Sequence, residues 1–595
     1  MKYSRNIGKY GLPLITAVAV SLFFGLCYPN HLHYQEQYQL FLFTADYALD
    51  VILVPGGVAD YLGRFLTQYF LYTWAGASIL AIIIALCQYT IGQIYTRTTP
   101  TTDANICSSR PLALLPTALL WLFLCNENAL LSGAVALLLS LVALLLTLKI
   151  SNTTIRHGVF ALSSPLLYLA LGPVAALYPT LYTLLYLKEG NHTSKNIPTP
   201  KRHFALFSIT FALVTTSLLP WIMSLYVNRS AETLYISAHY FRFPGIVPKM
   251  LWTAVWAIPL LLLVGTIMPN KKIITWFNSV IALGASVYMI AAFGYEPAKE
   301  EIFGYDFMAR TNKWNEIIAQ AERKTPKNQV SVTALNLALG LQGQLGNKLF
   351  TFEQNGWEGL LPTFQRDPLT PLVTAEAFLK LGMVNTAQRF FFEAQEAIPD
   401  YQKSARCTRR LAETNLIMGN YEVARKYLQM LTHTLAYAGW AERTMTLLGD
   451  EEAINEHPQY GALRKKLLND DFFFSDAETP KMLGRLFLSN PKNKMAYEYL
   501  QAAYLLAGDL DNFVRCIDLG RQYGYQNLSV SSQEALIMWW SQTHAANEPM
   551  PAEFSPMLVQ NMHSFIAKYQ QNAPREQIEK QFGKSYWYYY LFEKP

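Results

Sequence analysis

The residues whose types and spacing could support chemistry lie mainly between positions 29 and 69. Carboxylates can take a proton from a hydroxyl group, and arginines can neutralise a phosphate. Asp46 and Asp50 are four residues apart and share one face of a predicted helix, and Asp60 and Arg64 share a face of the next. An aspartate and an arginine at this spacing most often form a simple ion pair.

Residues 29–69 form what we call the first loop, and it contains no recognisable metal or cofactor site. No cysteine or histidine pair in the chain has the spacing of a zinc site. His31 and His33 share the loop, but without a third ligand nearby we interpret them as polar residues at the membrane interface. We therefore expect no cofactor, although the loop carboxylates could hold a divalent metal.

The first loop lies between segments that are apolar enough to cross a membrane. A helix needs about 20 apolar residues to span a hydrocarbon layer of roughly 30 Å. Because the first segment is followed by more apolar segments and lacks an obvious cleavage pattern, we expect it to be retained. The loop helices are amphipathic and should lie flat on the membrane, joined by Pro55-Gly56-Gly57. The candidate segments run about 11–28, 70–95, 112–126, 128–148, 158–187, 204–226, 250–268 and 273–293.

Basic residues predict how these segments cross. The segment 158–187 is too long for one crossing, and Gly172-Pro173 interrupts it. Lysines and arginines flank both of its ends, which favours a hairpin or a re-entrant pair with both ends in the cytoplasm. The total is then nine crossings, with the N-terminus inside. Thirteen of the 17 Lys and Arg residues in 1–293 fall on the cytoplasmic side, and six of the eight acids fall on the other.

The composition changes near Tyr295. Residues 1–293 hold 17 Lys and Arg against 8 Asp and Glu, out of 48 and 42 in the whole chain. The basic excess therefore belongs to the membrane half and reports topology, so it does not indicate a nucleic-acid partner. We expect a transmembrane domain over 1–294 and a soluble, extracytoplasmic domain over 295–595, in the inner membrane of a bacterial cell.

The soluble half has a weak helical repeat. Gly382, Gly419 and Gly508 occupy equivalent places in similar short stretches, and Gly346 precedes the first by 36 residues. Such periods resemble the tetratricopeptide helix-turn-helix repeat, although glycine-linked helical hairpins also occur in unrelated bundles. The fold class is therefore all-α: a polytopic helical membrane domain followed by a tetratricopeptide-like solenoid.

Two further features of this half remain open. Cys407 and Cys516 are far apart in the sequence and are expected to be separate buried thiols, unless the folded repeats bring them together. The aromatic run 586–592 either caps a hydrophobic core or lies on the lipid interface.

The whole layout resembles the C superfamily of membrane glycosyltransferases, some members of which carry an extracytoplasmic tetratricopeptide domain. The resemblance implies a polyprenyl-phosphate-linked sugar as donor. It implies Asp46, with Glu36 as a second candidate, as the first-loop carboxylate that deprotonates or orients the acceptor or holds a metal. It also implies Arg242, supported by Arg64, as the group that binds the lipid phosphate. The near-adjacent pair of acids usual in that superfamily is absent here.

Two non-enzymatic functions compete with this hypothesis. The chain could be a membrane anchor whose outer repeats bind another envelope protein, since such solenoids are mostly interaction surfaces. A transporter is disfavoured because the apolar segments hold almost no ionisable residues. The first loop also resembles an uncharacterised group of bacterial multi-spanning proteins, through Gln37-Tyr-Gln39-Leu40-Phe41, Pro55-Gly56-Gly57 and Phe65-Leu66-Thr67-Gln68.

Overall fold

The fold is all-α in every part of the chain that the structure describes. A computed structural model describes residues 2–98, 110–193, 199–267, 272–365, 367, 369–468, 478–545, 548, 551 and 554–594. Within these ranges the only β feature is an isolated bridge between Ala129 and Phe241. The sequence also predicts a cytoplasmic loop around Cys107, and this residue lies outside the described residues.

The chain forms two compact units, which are described separately. Unit 1 contains Met1–Glu300 together with two later segments, Pro399–Ala405 and Met430–Ala438. Unit 2 contains Glu301–Ile398, Arg406–Gln429 and Gly439–Pro595. Unit 1 is therefore not simply the N-terminal half of the sequence, because it includes 16 residues from beyond position 398, seven in one segment and nine in the other.

The helices of unit 1 are mostly apolar, and they pack around a core of leucine, isoleucine, alanine and aromatic side chains. They are Lys2–Leu22, Pro29–Glu36, Ala45–Ile52, Gly57–Thr67, Thr73–Thr98, Leu114–Leu124, Leu131–Thr147, Thr153–Leu171, Leu177–Thr193, Thr199–Ser224, Ala231–Ile236, Lys249–Ile267 and Lys272–Phe293. The helix Pro297–Arg310 follows and crosses the boundary between the units.

Fewer helices than the nine predicted crossings are long enough to span a membrane. Four described helical segments meet the requirements of length and apolar composition: Tyr10–Cys27, Thr73–Arg97, His203–Ser224 and Trp276–Phe293. Other apolar helices are shorter, such as Leu131–Thr147 with 17 residues and Leu114–Leu124 with 11. The count from sequence was too high because an apolar run was taken for a full-length helix, whereas several runs end early in turns.

The break predicted at Gly172-Pro173 is present. One helix ends at Leu171, a 3₁₀ turn runs from Pro173 to Ala176, and the next helix begins at Leu177. Gly172 has φ +79°, in the region that side chains disfavour. A Cβ atom at this position would also lie 2.6 Å from the hydroxyl oxygen of Tyr240. Glycine is therefore required here both by the backbone and by its neighbour.

Unit 2 is built from pairs of short helices. Its elements are Trp314–Arg323, Gln329–Leu341, Leu345–Lys348, Thr370–Leu381, Val384–Glu396, Ala405–Ile417, Tyr421–Thr432, Ala438–Met445, Glu451–Glu456, Tyr460–Arg464, Thr479–Ser489, Lys494–Ala507, Leu510–Gln522, Val530–Thr543, Pro556–Gln570, Arg575–Phe582 and Tyr586–Tyr588. Of these, Ala405–Ile417, Tyr421–Thr432 and Ala438–Met445 each extend by one to three residues into the late segments of unit 1.

Glycines in the left-handed conformation separate several of these pairs. Gly382, Gly419 and Gly508 have φ of 103°, 82° and 69°, and each follows the end of one helix and precedes the next. Gly346 differs from these three, since it lies inside the helix Leu345–Lys348. The left-handed glycine at that point is Gly343, with φ +64°.

The aromatic run near the end of the chain belongs to the core of unit 2. Tyr586, Trp587, Tyr588 and Tyr589 are all buried, and the indole N–H of Trp587 donates to the carbonyl of Glu534 at 2.8 Å. Of the two interpretations given by the sequence, the structure supports the core and not the lipid interface.

Cys407 and Cys516 are both buried free thiols in this unit, so they do not pair. Burial raises the pKa of the Cys516 thiol to about 12.

Candidate functional site

A cluster of five charged or titratable side chains lies in unit 1 where the first loop meets a late segment of the chain. Arg64 holds Asp60 with two hydrogen bonds, from Nε to Oδ1 at 3.0 Å and from Nη2 to Oδ2 at 2.7 Å. His239 Nδ1 lies 3.5 Å from Asp60 Oδ2 and 3.6 Å from Asp400 Oδ2. Arg229 Nη2 donates to Asp400 Oδ1. We call these five residues the charge cluster.

The predicted ion pair of Asp60 and Arg64 is therefore present, and it is half of a larger arrangement. The helix Gly57–Thr67 places both residues on one face, because they are four positions apart. Asp60 is almost fully buried at 1% exposure, so its charge depends on the bidentate contact with Arg64.

Each carboxylate of the cluster lies beside an arginine. Burial opposes ionisation of Asp400, but the neighbouring His239 and the charge of Arg229 outweigh it, and the pKa of Asp400 lies below its ordinary value. Burial likewise opposes the charge of Arg64, but Asp60 outweighs it and raises the pKa of Arg64. With a neutral histidine the cluster has two positive and two negative charges and no net charge.

The backbone is strained on both sides of this cluster. The structure describes four non-glycine residues with positive φ, and two of them are Ala238, at 39°, and Asp400, at 66°. Such conformations cost free energy and persist where the surrounding structure enforces them. Ala238 directly precedes His239, so strain and charge occur together at this point.

Hydrogen bonds hold two breaks in the helices of unit 1 in place. Gly56, in the Pro-Gly-Gly break of the first loop, has φ +86°, and its N–H donates to the carbonyl of Leu169 at 2.8 Å. The Tyr240 hydroxyl donates to the Leu171 carbonyl and accepts from the backbone N–H of Val174 at 3.2 Å. The broken helical hairpin thus packs against protein, as expected for a region with freed backbone groups.

Further hydrogen bonds join the first loop to the late segments of unit 1. The backbone N–H of Leu40 donates to the carbonyl of Lys403 at 2.9 Å, and that of Phe43 donates to the carbonyl of His433 at 2.8 Å. The Tyr437 hydroxyl donates to Glu36 Oε1 at 3.3 Å. Together with the charge cluster, these contacts fasten residues 399–405 and 430–438 onto the first loop.

Arg242 is buried against aromatic rings. Its guanidinium carbon lies 5.1 Å from the centre of the Tyr34 ring and 4.3 Å from that of Tyr38. Nη1 donates to the Tyr34 hydroxyl at 3.2 Å and Nη2 to the Glu127 carbonyl at 3.3 Å. Only 3% of the residue is exposed, so a phosphate could reach the guanidinium only by displacing one of the rings.

The other predicted site residues lie in different environments. Asp46 is exposed on the helix Ala45–Ile52, whereas Glu36 is buried and bound by Tyr437. His31 and His33 were predicted at the membrane interface, but both are buried within unit 1. His31 Nε2 contacts the carbonyl of Leu124 at 2.9 Å, and burial lowers its pKa to about 4. The sequence did not predict this burial because every residue from His31 to Glu36 is buried, polar and apolar alike, so no alternation of polar and apolar positions marks a buried face.

The residue types of the cluster are suited to acid-base chemistry. Within the described residues, no group of three or more His, Cys, Asp and Glu side chains could hold a metal ion. A neutral His239 with its proton on Nδ1 would face the two carboxylates and leave the lone pair on Nε2, which no described residue binds. Orientation of an imidazole by a carboxylate is the arrangement that prepares a general base.

Sequence reasoning did not include His239, Arg229 or Asp400 in the site. His239 lies three residues before Arg242 in a loop that had already drawn attention. Asp400 gave no comparable signal, since it is an ordinary surface aspartate by sequence and lies 340 positions from Asp60.

Fold and site together define an all-helical protein with apolar helices that could cross a membrane and with a buried charge cluster beside its first loop. The chain belongs to a family of unknown function (DUF6057), whose model matches residues 4–593. No curated protein and no solved structure matches the chain.

Proposed function

We propose that this protein is a membrane-anchored scaffold, which presents the paired helices of unit 2 on the extracytoplasmic side to bind a cell-envelope protein. The observation that carries the proposal is that the buried polar side chains of the first loop are engaged in contacts within unit 1. Glu36 accepts a hydrogen bond from Tyr437 in the segment 430–438, and Asp60 is held by Arg64 and lies beside His239. Side chains engaged in this way position the chain and are not free to bind a substrate.

The contacts within unit 1 also bear on topology. The proposal places residues 29–69 after one crossing. Residues 399–405 and 430–438 contact them, so both parts lie on one side if the chain crosses the membrane an odd number of times before Pro297. The four long helices alone would place the two parts on opposite sides. The proposal therefore requires at least one of the shorter apolar helices, such as Leu131–Thr147, to cross as well. The basic bias of the N-terminal segment favours the extracytoplasmic side for both parts.

The repeat architecture supports a binding role. Left-handed glycines at Gly382, Gly419 and Gly508 link successive helices of unit 2, as in helical solenoids of the tetratricopeptide type. Stacked helix pairs of this kind expose extended surfaces that bind peptides and proteins.

The scaffold proposal is tested in the intact cell. The tagged full-length protein is crosslinked in living cells, recovered from membranes in detergent and compared with a strain that lacks it. We expect one envelope protein to be recovered in near-stoichiometric amount, and the glycan and lipid profiles of the two strains to match. Absence of any crosslinked partner would contradict the proposal.

A second candidate is a transferase, favoured by the position of His239 between Asp60 and Asp400. In this hypothesis His239 Nε2 takes the proton of an acceptor hydroxyl, and the donor is the polyprenyl-phosphate sugar implied by the resemblance. The neutral cluster supplies no excess positive charge for a leaving phosphate, which is why the scaffold is preferred.

The same strains distinguish the two candidates. If a glycan or lipid-linked sugar changes in the deletion strain, and His239→Gln or Asp46→Asn reproduces that change at normal protein abundance, the transferase replaces the scaffold. A reporter active only outside the cytoplasm, placed after Glu593, tests the topology common to both.

A further inference from the structure

Unit 2 has an open surface pocket of about 500 Å³ whose lining is mainly polar and basic. A pocket of this size can hold two or three amino-acid residues or a small anionic ligand. Three lysines and one glutamate lie among its residues, so with neutral histidine its net charge is +2. The residues that matter to the argument are Asn455, His457, Lys465, Lys466, Lys492 and Asn493.

The inner part of the pocket is held in place by the end of a neighbouring helix. Lys466 Nζ donates to the carbonyl of Lys380 at 3.0 Å, and Asn493 Nδ2 donates to the carbonyl of Leu381 at 2.8 Å. Both acceptors belong to the last turn of the helix Thr370–Leu381, whose carbonyls have no partner within the helix. These two side chains are therefore fixed before any ligand arrives.

The rim of the pocket is different. Lys465 and Lys492 are exposed, and their described contacts with Asn490 are made by the backbone. Their side-chain ammonium groups are available to a ligand.

One buried atom in the pocket lacks a partner. Asn493 is 2% exposed, and its Oδ1 makes no hydrogen bond in the structure. A buried acceptor without a donor destabilises the folded protein, and a ligand whose N–H or O–H group donates to this oxygen would remove that cost. The pocket thus combines ammonium groups, which attract an oxyanion, with an acceptor that requires a donor.

We propose that this pocket binds an acidic peptide segment, with a carboxylate against Lys465 and Lys492 and a backbone N–H donated to Asn493 Oδ1. The identification of the ligand as a peptide rests on the proposed scaffold function. The basic pocket itself does not depend on that function, since any ligand with an oxyanion beside a hydrogen-bond donor has the same chemistry.

The test uses full-length protein in detergent and three ligands, measured by calorimetry at low and moderate salt. Tri-glutamate is the probe, tri-glutamine is its uncharged control, and glutarate supplies carboxylates without an N–H. We expect tri-glutamate to bind, with an affinity that falls as salt rises. Tri-glutamine should not bind, and glutarate should bind several-fold more weakly than the peptide.

The matched variants keep the fold unchanged. Lys465→Gln combined with Lys492→Gln removes two exposed charges at the rim, and Lys426→Gln combined with Lys584→Gln removes two exposed charges elsewhere in unit 2. The rim variant should bind tri-glutamate at least 10-fold more weakly, and the control variant should match the parent. Equal affinity of the two variants, or binding of tri-glutamine as strong as that of tri-glutamate, overturns the proposal.

Further outcomes distinguish failure of the pocket proposal from failure of the scaffold proposal. If inorganic phosphate binds and tri-glutamate does not, the pocket is an oxyanion site but the peptide assignment is wrong. If the rim variant keeps the partner crosslinked in cells, the pocket is not the partner's site, whereas the scaffold proposal stands. If tri-glutamate binds but no partner is crosslinked in cells, the pocket proposal stands and the scaffold proposal is wrong.

Discussion

Glu300 caps the helix that contains His31. The backbone N–H of His31 donates to Glu300 Oε2 at 3.1 Å, and that of Asn30 donates to Oε1 at 2.8 Å. These amides belong to the first turn of the helix Pro29–Glu36, where backbone donors have no partner within the helix. A side chain 269 positions away therefore fixes the start of the first loop.

The pH dependence of stability tests this contact. Burial raises the pKa of Glu300 to about 7, although the two backbone hydrogen bonds oppose the shift. The folded state therefore keeps a proton that the unfolded chain releases above pH 4.5, and stability falls as pH rises from about 4.5 to 7. His31 acts in the opposite direction, since its pKa of about 4 means that stability rises with pH from 4 to about 6.5.

Because the two effects oppose each other, Glu300→Gln should expose the pH dependence of stability that His31 causes. We expect the free energy of unfolding of this variant to rise between pH 4.5 and 6.5 more steeply than that of the parent protein, by up to about 1.4 kcal/mol per pH unit. The melting temperature should rise with it. Thermal unfolding in detergent at a series of pH values measures this. Glu232→Gln, at an exposed site in the same unit, should follow the parent, and equal slopes for all three proteins would refute the prediction.

Arg242 should be required for stability through its flat guanidinium. Arg242→Ala removes the contacts with the Tyr34 and Tyr38 rings, each of which contributes about 0.5–2 kcal/mol when shielded from water. Arg242→Lys keeps the charge but loses the planar stacking, so it should lie between alanine and the parent. Melting temperatures of the three proteins give the order, and a lysine variant as stable as the parent would argue for a charge role instead.

Two glycines of one helical hairpin should respond oppositely to alanine. Gly172→Ala meets both a positive φ and the Tyr240 hydroxyl, and should cost about 1–3 kcal/mol. Gly158 lies within the helix Thr153–Leu171 with no atom within 4 Å of an added Cβ. Gly158→Ala should therefore be neutral or stabilising by up to about 1 kcal/mol. Equal effects of the two changes on melting temperature would contradict the described break.

A buried ion pair in unit 2 should be costly to disrupt. Glu376 is fully buried and receives two hydrogen bonds from Arg410, from Nε and from Nη2, both at 2.9 Å. Glu376→Gln leaves the buried Arg410 with one carboxylate fewer and should cost about 3–5 kcal/mol. The exposed pair of Arg389 and Glu393 is the control, because Glu393→Gln should cost less than about 1 kcal/mol. Denaturant unfolding of both variants measures the difference.

The sequence contained the information for local features of the fold. The apolar runs predicted helices, Gly172-Pro173 predicted the break between two of them, and the four-residue spacing of Asp60 and Arg64 predicted their contact. Each of these depends on residues close together in the chain, where helix geometry determines which side chains meet.

The rest of the site depends on contacts that no local pattern encodes. Glu36 is an ordinary loop acid by sequence, and only the fold brings Tyr437 to it from 401 positions away. Asp400 reaches Arg229 and His239 in the same way. Span lengths were overestimated for a related reason, since tertiary packing allows an apolar helix such as Leu114–Leu124 to stop after 11 residues.

The fastening of residues 399–405 and 430–438 to the first loop sets an order on biosynthesis. Asp400 is made some 340 residues after Asp60, which at roughly 5–20 residues per second corresponds to tens of seconds of translation. Until the late segments are made, Glu36 lacks its partner Tyr437, and the backbone N–H groups of Leu40 and Phe43 lack their acceptors. A ribosome that stalls before Pro399 would therefore leave a chain whose first loop exposes polar groups that the complete chain buries or pairs.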